Sequence, residues 1–111
     1  MEIKNLTIDK HAKIKEAVEK ILLNDLRIVF ITNNEKIVGS VSEGDILRSI
    51  LYTKNLENPI ELIMNKSFKF FSNKKNKKDI KKYFLDHDIL VLPIVDKKLK
   101  LIDVVTYKDY L

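Results

Sequence analysis

Apolar residues at Ile14, Ala17, Val18, Ile21 and Leu22 recur at i, i+3, i+4, i+7 and i+8, the spacing of a single stripe along a helix. The run that follows, Ile28 to Ile31, is wholly apolar and rich in β-branched side chains, which is the composition of a buried strand. A polar stretch, Thr32-Asn33-Asn34-Glu35, separates it from a second strand over Ile37 to Val41, so the two are expected to form a hairpin. Ser42 then opens a helix whose apolar positions are Ile46, Leu47, Ile50 and Leu51. With a short strand over Leu6 to Ile8 placed ahead of the first helix, the unit reads strand–helix–strand–strand–helix.

The second half repeats the order. Asn58-Pro59 marks a turn into a short helix over Ile60 to Met64, with Pro in the first turn where it is tolerated. Ser67 to Phe71 is read as a strand, Asn73 to Asp86 as a helix, and Leu90 to Val95 with Lys100 to Val105 as a hairpin. A last helix, Tyr107 to Leu111, is only five residues long, so it is expected either to continue in a longer chain or to be completed by another domain. Residues 12–26 align with 75–89 at an offset of 63, pairing Ala17 with Ile80, Ile21 with Phe84, Leu22 with Leu85 and Leu26 with Ile89. Residues 29–45 align with 93–109 at an offset of 64, which places one residue gained or lost between helix and strand. Two repeats of this size are marginal alone and are expected to pack on each other. The division expected is 1–66, with the connecting helix, and 67–111.

Composition narrows the classes. The 111 residues include no Cys, which excludes a disulfide framework and thiolate metal sites. The longest apolar stretch, Ile89 to Val95, is far short of the roughly 20 residues needed to cross a bilayer, and the N-terminus lacks the apolar run of a signal peptide. A soluble, cytoplasmic domain is therefore expected, without membrane partners. The net charge of +5 invites a nucleic-acid reading. Nineteen of the 21 basic residues are Lys, however, without the Arg forks that phosphate recognition favours, so nucleic acid is not the expected partner.

Each hairpin ends in one tetrapeptide shape: Ser42-Glu43-Gly44-Asp45 and Thr106-Tyr107-Lys108-Asp109, the first preceded by Ile37-Val38-Gly39-Ser40-Val41. Hydrophobic–Gly–hydrophobic followed by Ser/Thr-x-x-Asp at a strand-to-helix junction resembles the cystathionine-β-synthase (CBS) domain. Two tandem copies, from about Leu6 to Leu111, resemble a CBS pair, or Bateman module. Ile60-Glu61-Leu62-Ile63-Met64-Asn65 is similar to the segment that joins the repeats in that family, and Leu92-Pro93-Ile94-Val95-Asp96 to its strand and turn. The resemblance implies an α+β fold of two strand–helix–strand–strand–helix repeats packed as a pseudo-twofold pair. Val38 to Arg48 also resembles CBS pairs fused ahead of a sugar-phosphate nucleotidyltransferase, which implies a C-terminal catalytic domain in the longer protein.

Members of that family commonly bind adenine nucleotides (AMP, ADP or ATP) in the clefts between repeats, as regulatory ligands rather than tightly held cofactors. The residue types suit this. Ser42 lies where backbone N–H groups lack helical partners and the helix dipole favours an anion. Asp45, an acceptor only, suits the vicinal hydroxyls of a ribose. Arg48, one turn on, is placed either for an outer phosphate or for pairing with Asp45. Ile8, Ile28 and Val29 would line the base. By correspondence, Thr106 and Asp109 would serve a second site, with Leu92 and Pro93 near the base; there Asp103 replaces the residue equivalent to Gly39, adding a carboxylate that would repel phosphate if it faced the cleft. The plainer alternative is that Ser/Thr-x-x-Asp is a capping box with Asp in place of Glu.

Other candidates carry less. His11 and His87 have no clustered carboxylates at metal-ligand spacing, and His87 closes a helix where a cation is ordinary. Lys74, Lys75, Lys77, Lys78, Lys81 and Lys82 cover one helix face, read as solvated first and as a polyanion or partner surface second. Phe68, Phe70 and Phe71 are read as core and interface. No nucleophile–base pair, Gly-rich phosphate loop or paired carboxylate site appears, so the chain is not expected to be an enzyme. The expectation is a nucleotide-sensing regulatory pair, working as a homodimer through the apolar faces of Ile46–Tyr52 and the last helix. Its rivals are a structural dimerisation module with empty clefts and a basic nucleic-acid-binding domain.

Overall fold

The first long apolar stripe forms the helix α1, Ile14–Asn24, with Ile14, Ala17 and Ile21 turned into a core. The computed structural model describes residues 3–52, 55–72 and 77–110. By its internal packing the chain divides into two units, Met1–Phe68 and Lys69–Leu111.

In the first unit, strand β1 (Thr7–Asp9) runs parallel to β2 (Ile28–Asn33), with α1 as the crossover that parallel pairing requires. Strand β3 (Lys36–Ser42) returns antiparallel to β2, giving the order β1-β2-β3. Helix α2 (Glu43–Leu51) follows without a break. Ile8, Ile14, Ala17, Ile21, Val29, Ile31, Val41, Ile46 and Ile60 form the core.

The residue that precedes α1 at its N-cap is Lys13, whose side chain cannot accept a hydrogen bond and whose charge is unfavourable at a positive dipole end. The start is completed from a distance. Ile14 N–H donates to Asn58 C=O (2.9 Å) and Lys15 N–H to Leu56 C=O (2.9 Å). Glu16 accepts from Lys13 N–H at 2.7 Å, and the Glu57 carboxylate meets Lys13 Nζ at 2.8 Å and Lys15 Nζ at 3.0 Å. The segment after α2 thus caps the helix before it. At the other end Asp25, in the left-handed region at φ 58°, closes α1, and buried Asn24 ties it to Asn5, Leu26 and Ile28.

The connecting segment is a 3-10 turn, Ile60–Leu62, which stops short of the expected Met64. Met64 and Asn65 instead lie along β3, where Ser40 and Asn65 exchange both backbone hydrogen bonds. A methyl group at Gly39 would stand 2.8 Å from Met64 Sδ, so this close approach is the reason for glycine there.

The second unit contains α3 (Lys77–Asp86) and the antiparallel pair β4 (Val91–Val95) and β5 (Leu101–Thr106), closed by a 3-10 turn at Tyr107–Tyr110 in place of the expected last helix. Ile80, Phe84, Leu92 and Ile94 form its core, with Phe71, Tyr83 and Tyr107 against it. The strand expected over Ser67 to Phe71 reduces to one parallel bridge between Phe71 and Ile94. Phe71 bonds to β4: its N–H donates to Pro93 C=O and its C=O accepts from Val95 N–H. The start expected for the second repeat's helix, 73–76, and Leu111 lie outside the described residues.

Pairing relocates the extra residue of the second repeat. Ile28 faces Ser42 as Val91 faces Thr106, and both hairpins carry an irregularity at matching points, Ile31/Thr32 and Ile94/Val95. The offset is therefore still 63 through the strand, and the added residue belongs to the hairpin turn. The first turn has two central residues, Asn34 and Glu35, both at positive φ, as a type I′ turn requires. The second spans Lys97 to Leu99, with Leu99 at φ 65° and Asp96 Oδ1 accepting from Lys98 and Lys100 N–H. That is the three-residue hairpin pattern.

Candidate functional site

Ser42 is the last residue of β3 and remains extended (φ −96°, ψ 166°), so its side chain overhangs the start of α2. Its Oγ accepts from Asp45 N–H at 3.1 Å, and Asp45 Oδ2 accepts from Ser42 N–H at 2.9 Å. This is a reciprocal capping box, with Asp in the role of Glu. Arg48 folds back so that Nη2 donates to Asp45 Oδ1 at 2.6 Å, and its guanidinium also lies over Gly44. Asp45 is mostly buried while Arg48 is mostly exposed, so the cation closes the site from the solvent side. Glu43 N–H donates to Arg27 C=O at 2.9 Å, which anchors the first turn of α2 to the start of β2. Ser42, Gly44, Asp45 and Arg48 thus present a hydroxyl, a carboxylate and a guanidinium at one helix N-terminus.

The strand residues expected around the base divide. Ile28, half-buried, is directly opposite Ser42 in the sheet and stands beside the clasp. Ile8 and Val29 are buried members of the core, and Leu92 and Pro93 are fully buried in the second unit; their side chains serve packing.

The second copy has the same skeleton with different chemistry. Tyr107 N–H donates to Leu90 C=O at 2.8 Å, as Glu43 does to Arg27. But Thr106 Oγ1 donates to Asp109 Oδ2 at 2.7 Å, and Thr106 N–H reaches that same oxygen at 3.4 Å. Hydroxyl and carboxylate are closed on each other, followed by a 3-10 turn instead of a helix. Asp103, partly buried, accepts from Val104 N–H at 2.8 Å through Oδ1.

On the face of α2 opposite Asp45, a groove of about 400 Å³ runs between α1 and α2. Val18, Ile21, Leu22, Ile46, Leu47 and Ile50 line it, and Arg27 and Glu43 stand at its rim, Nε to Oε2 3.8 Å apart. The apolar helix positions announce such a face in the sequence. The carbonyls of Arg27 and Leu90 that anchor the two junctions have no sequence signal, because any residue supplies one. His11 pairs with Asp9, whose carboxyl is held below its ordinary value chiefly by the His11 N–H. His87 stacks on Tyr83 at 4.2 Å, and burial raises the Tyr83 phenol. Among the described residues, no group of three or more His, Asp or Glu is placed to hold a metal ion, and no helix is long and apolar enough to cross a membrane.

With this geometry in place, residues 1–52 match the family model of the CBS domain. That stretch, a little under half of the chain, is similar to a CBS domain. Solved structures extend the likeness over both repeats. An acetoin utilization protein (AcuB) from Vibrio cholerae is 25% identical with a TM-score of 0.84, covering 94% of this chain and 78% of its own. The CBS domains of a transcriptional regulator from Streptococcus pneumoniae share 18% identity at a TM-score of 0.82, covering 99% and 90%. A CBS domain protein from Pyrobaculum aerophilum, solved with AMP, shares 23% at 0.76, covering 94% and 81%. None of the curated proteins matches the chain. The mixed α+β fold is that of solved CBS-domain structures.

Proposed function

We propose that the chain senses an adenine nucleotide through the clasp at the start of α2 and passes the change to an attached or partner enzyme. The observation that carries this reading is the convergence of Ser42, Asp45 and Arg48 on one helix N-terminus that opens directly from a strand. A phosphate is favoured beside N–H groups and the dipole, a ribose beside the carboxylate. Arg48, which donates to Asp45, would also reach an outer phosphate through a charge-assisted bond. Relatives of the same fold solved with AMP and with ATP support the ligand class. The first clasp is the proposed site; the self-closed Thr106–Asp109 pair makes the second the weaker one. Regulation further requires that the nucleotide bind two arrangements of the chain unequally.

The apolar groove between α1 and α2 supports a homodimer formed through these helices, since Leu22 and Leu47 are 77% and 60% exposed on its walls. The likeness of Val38–Arg48 to pairs fused ahead of nucleotidyltransferases favours an enzyme of that class as the recipient. A second reading has its own observation: hydroxyl, carboxylate and guanidinium of the clasp already satisfy one another, as in a pure cap, which suits a structural dimerisation module with empty clefts.

Thermal denaturation with AMP, ADP and ATP separates the two. A ligand at a hundredfold excess over its Kd adds about 2.7 kcal/mol to stability and raises Tm. Asp45→Ala should abolish that rise, and Arg48→Ala should reduce it most for ATP. No rise with any nucleotide leaves the structural reading standing.

A further inference from the structure

The charge of this chain is not spread evenly. Residues 1–68 carry ten basic and ten acidic side chains, whereas residues 69–111 carry eleven and six, so the whole net charge of +5 belongs to the second unit. Much of it lies on α3, where Lys77, Lys78, Lys81 and Lys82 are exposed opposite the buried Ile80 and Phe84. Lys82 is paired with Asp86 at 2.6 Å. Lys77, Lys81 and Leu85 follow at intervals of four and form one row along the helix. That row ends at a groove of about 230 Å³ lined by Lys81, Phe84, Leu85, Tyr107 and Tyr110, with Leu85 64% exposed. By the repeat alignment this groove corresponds to the one between α1 and α2, but its aliphatic walls have become aromatic and basic.

We infer that this row and groove dock an acidic protein segment that carries a bulky apolar anchor residue. Charge complementarity selects the acidic partner: lysines without arginine give long-range attraction and little directional recognition. The groove has the volume of a side chain. Its rings pack edge-on or tilted on one another, Phe84 with Tyr107 at 5.8 Å and 73° and with Tyr110 at 5.9 Å and 41°. Phe84 is buried, so the rings do not form the open platform on which nucleic-acid bases stack. An apolar anchor ringed by carboxylates fits both features, with the anchor desolvated and the charges at the rim. This docking does not depend on nucleotide binding at the first clasp.

The probe is a labelled Asp/Glu-rich peptide with one central Leu, titrated with the full chain by fluorescence anisotropy. Saturable binding that weakens with salt is expected, reduced roughly tenfold by Lys77→Glu with Lys81→Glu and by Leu85→Asp. An unchanged Tm in these variants shows that they still fold. Equal binding by a peptide whose Leu is replaced by Ser overturns the inference. So does tighter binding by oligothymidine or by anionic vesicles, and so does a sedimentation result in which the same variants dissolve a dimer of the chain instead.

Discussion

Ser42 and Asp45 each perform two tasks at one place, and their substitution separates cap from ligand clasp. Ser42→Ala removes the hydroxyl that accepts Asp45 N–H and should cost about 1 kcal/mol of stability with or without nucleotide, read by urea denaturation. Asp45→Asn keeps an acceptor for Ser42 N–H but loses the charge that holds Arg48; it should lose nucleotide response with a smaller loss of stability. Gly39 answers to a different neighbour. Gly39→Ala places a methyl group within 2.8 Å of Met64 Sδ and should cost on the order of 1–3 kcal/mol, most of it recovered when Met64→Ala is added. Hydrophobic–Gly–hydrophobic was legible as a pattern, but its cause was not, because the residue that demands glycine stands 25 positions further along the chain.

Among the elements, those that satisfy themselves were the readable ones. The stripe of α1, the apolar run of β2 and the Ser-x-x-Asp junction of α2 are each local arrangements of a few neighbouring residues, so their places follow from spacing. Ser67 to Phe71 has strand composition, yet among the described residues it forms a single bridge, Phe71 to Ile94, and not a strand. The extra residue of the second repeat has no clear place in the sequence, because apolar strand residues align nearly as well at either offset; the bonded register decides. Helix α1 is the opposite case to a self-sufficient element, since its starting charges are balanced by Glu57. That carboxyl is held below its ordinary value by Lys13 and then Lys15, and Lys13 is raised by Glu57 in turn. A depressed carboxyl stabilises the fold above its unfolded value and loses that effect as acid protonates it. A raised amine stabilises below its unfolded value and loses that effect in alkali. Stability should therefore fall below pH 4.5 and above pH 10.5 by an amount that Glu57→Gln removes, measured as Tm against pH.

At the scale of the molecule, duplication is the feature that made the fold legible, for two weak signals in the same order are stronger than one. It also hides divergence. The two clasps share a backbone anchor, yet one hydroxyl accepts from the helix and the other donates to its own carboxylate. Isothermal titration with the preferred nucleotide should accordingly give one site per chain, unchanged by Asp109→Ala and lost with Asp45→Ala; two equal sites would contradict the ranking of the clasps.

The carbonyls of Leu56 and Asn58 at the head of α1 carry a consequence for synthesis and for dissection. As the chain leaves the ribosome, α1 emerges about forty residues before the groups that complete its first turn, so that turn stays uncapped until the connector is out. A fragment cut at residue 52, where the family match ends, retains every regular strand and helix of the repeat and yet lacks those two acceptors. It should melt well below a fragment carried on to residue 68, and the true edge of this domain is the one drawn by hydrogen bonds.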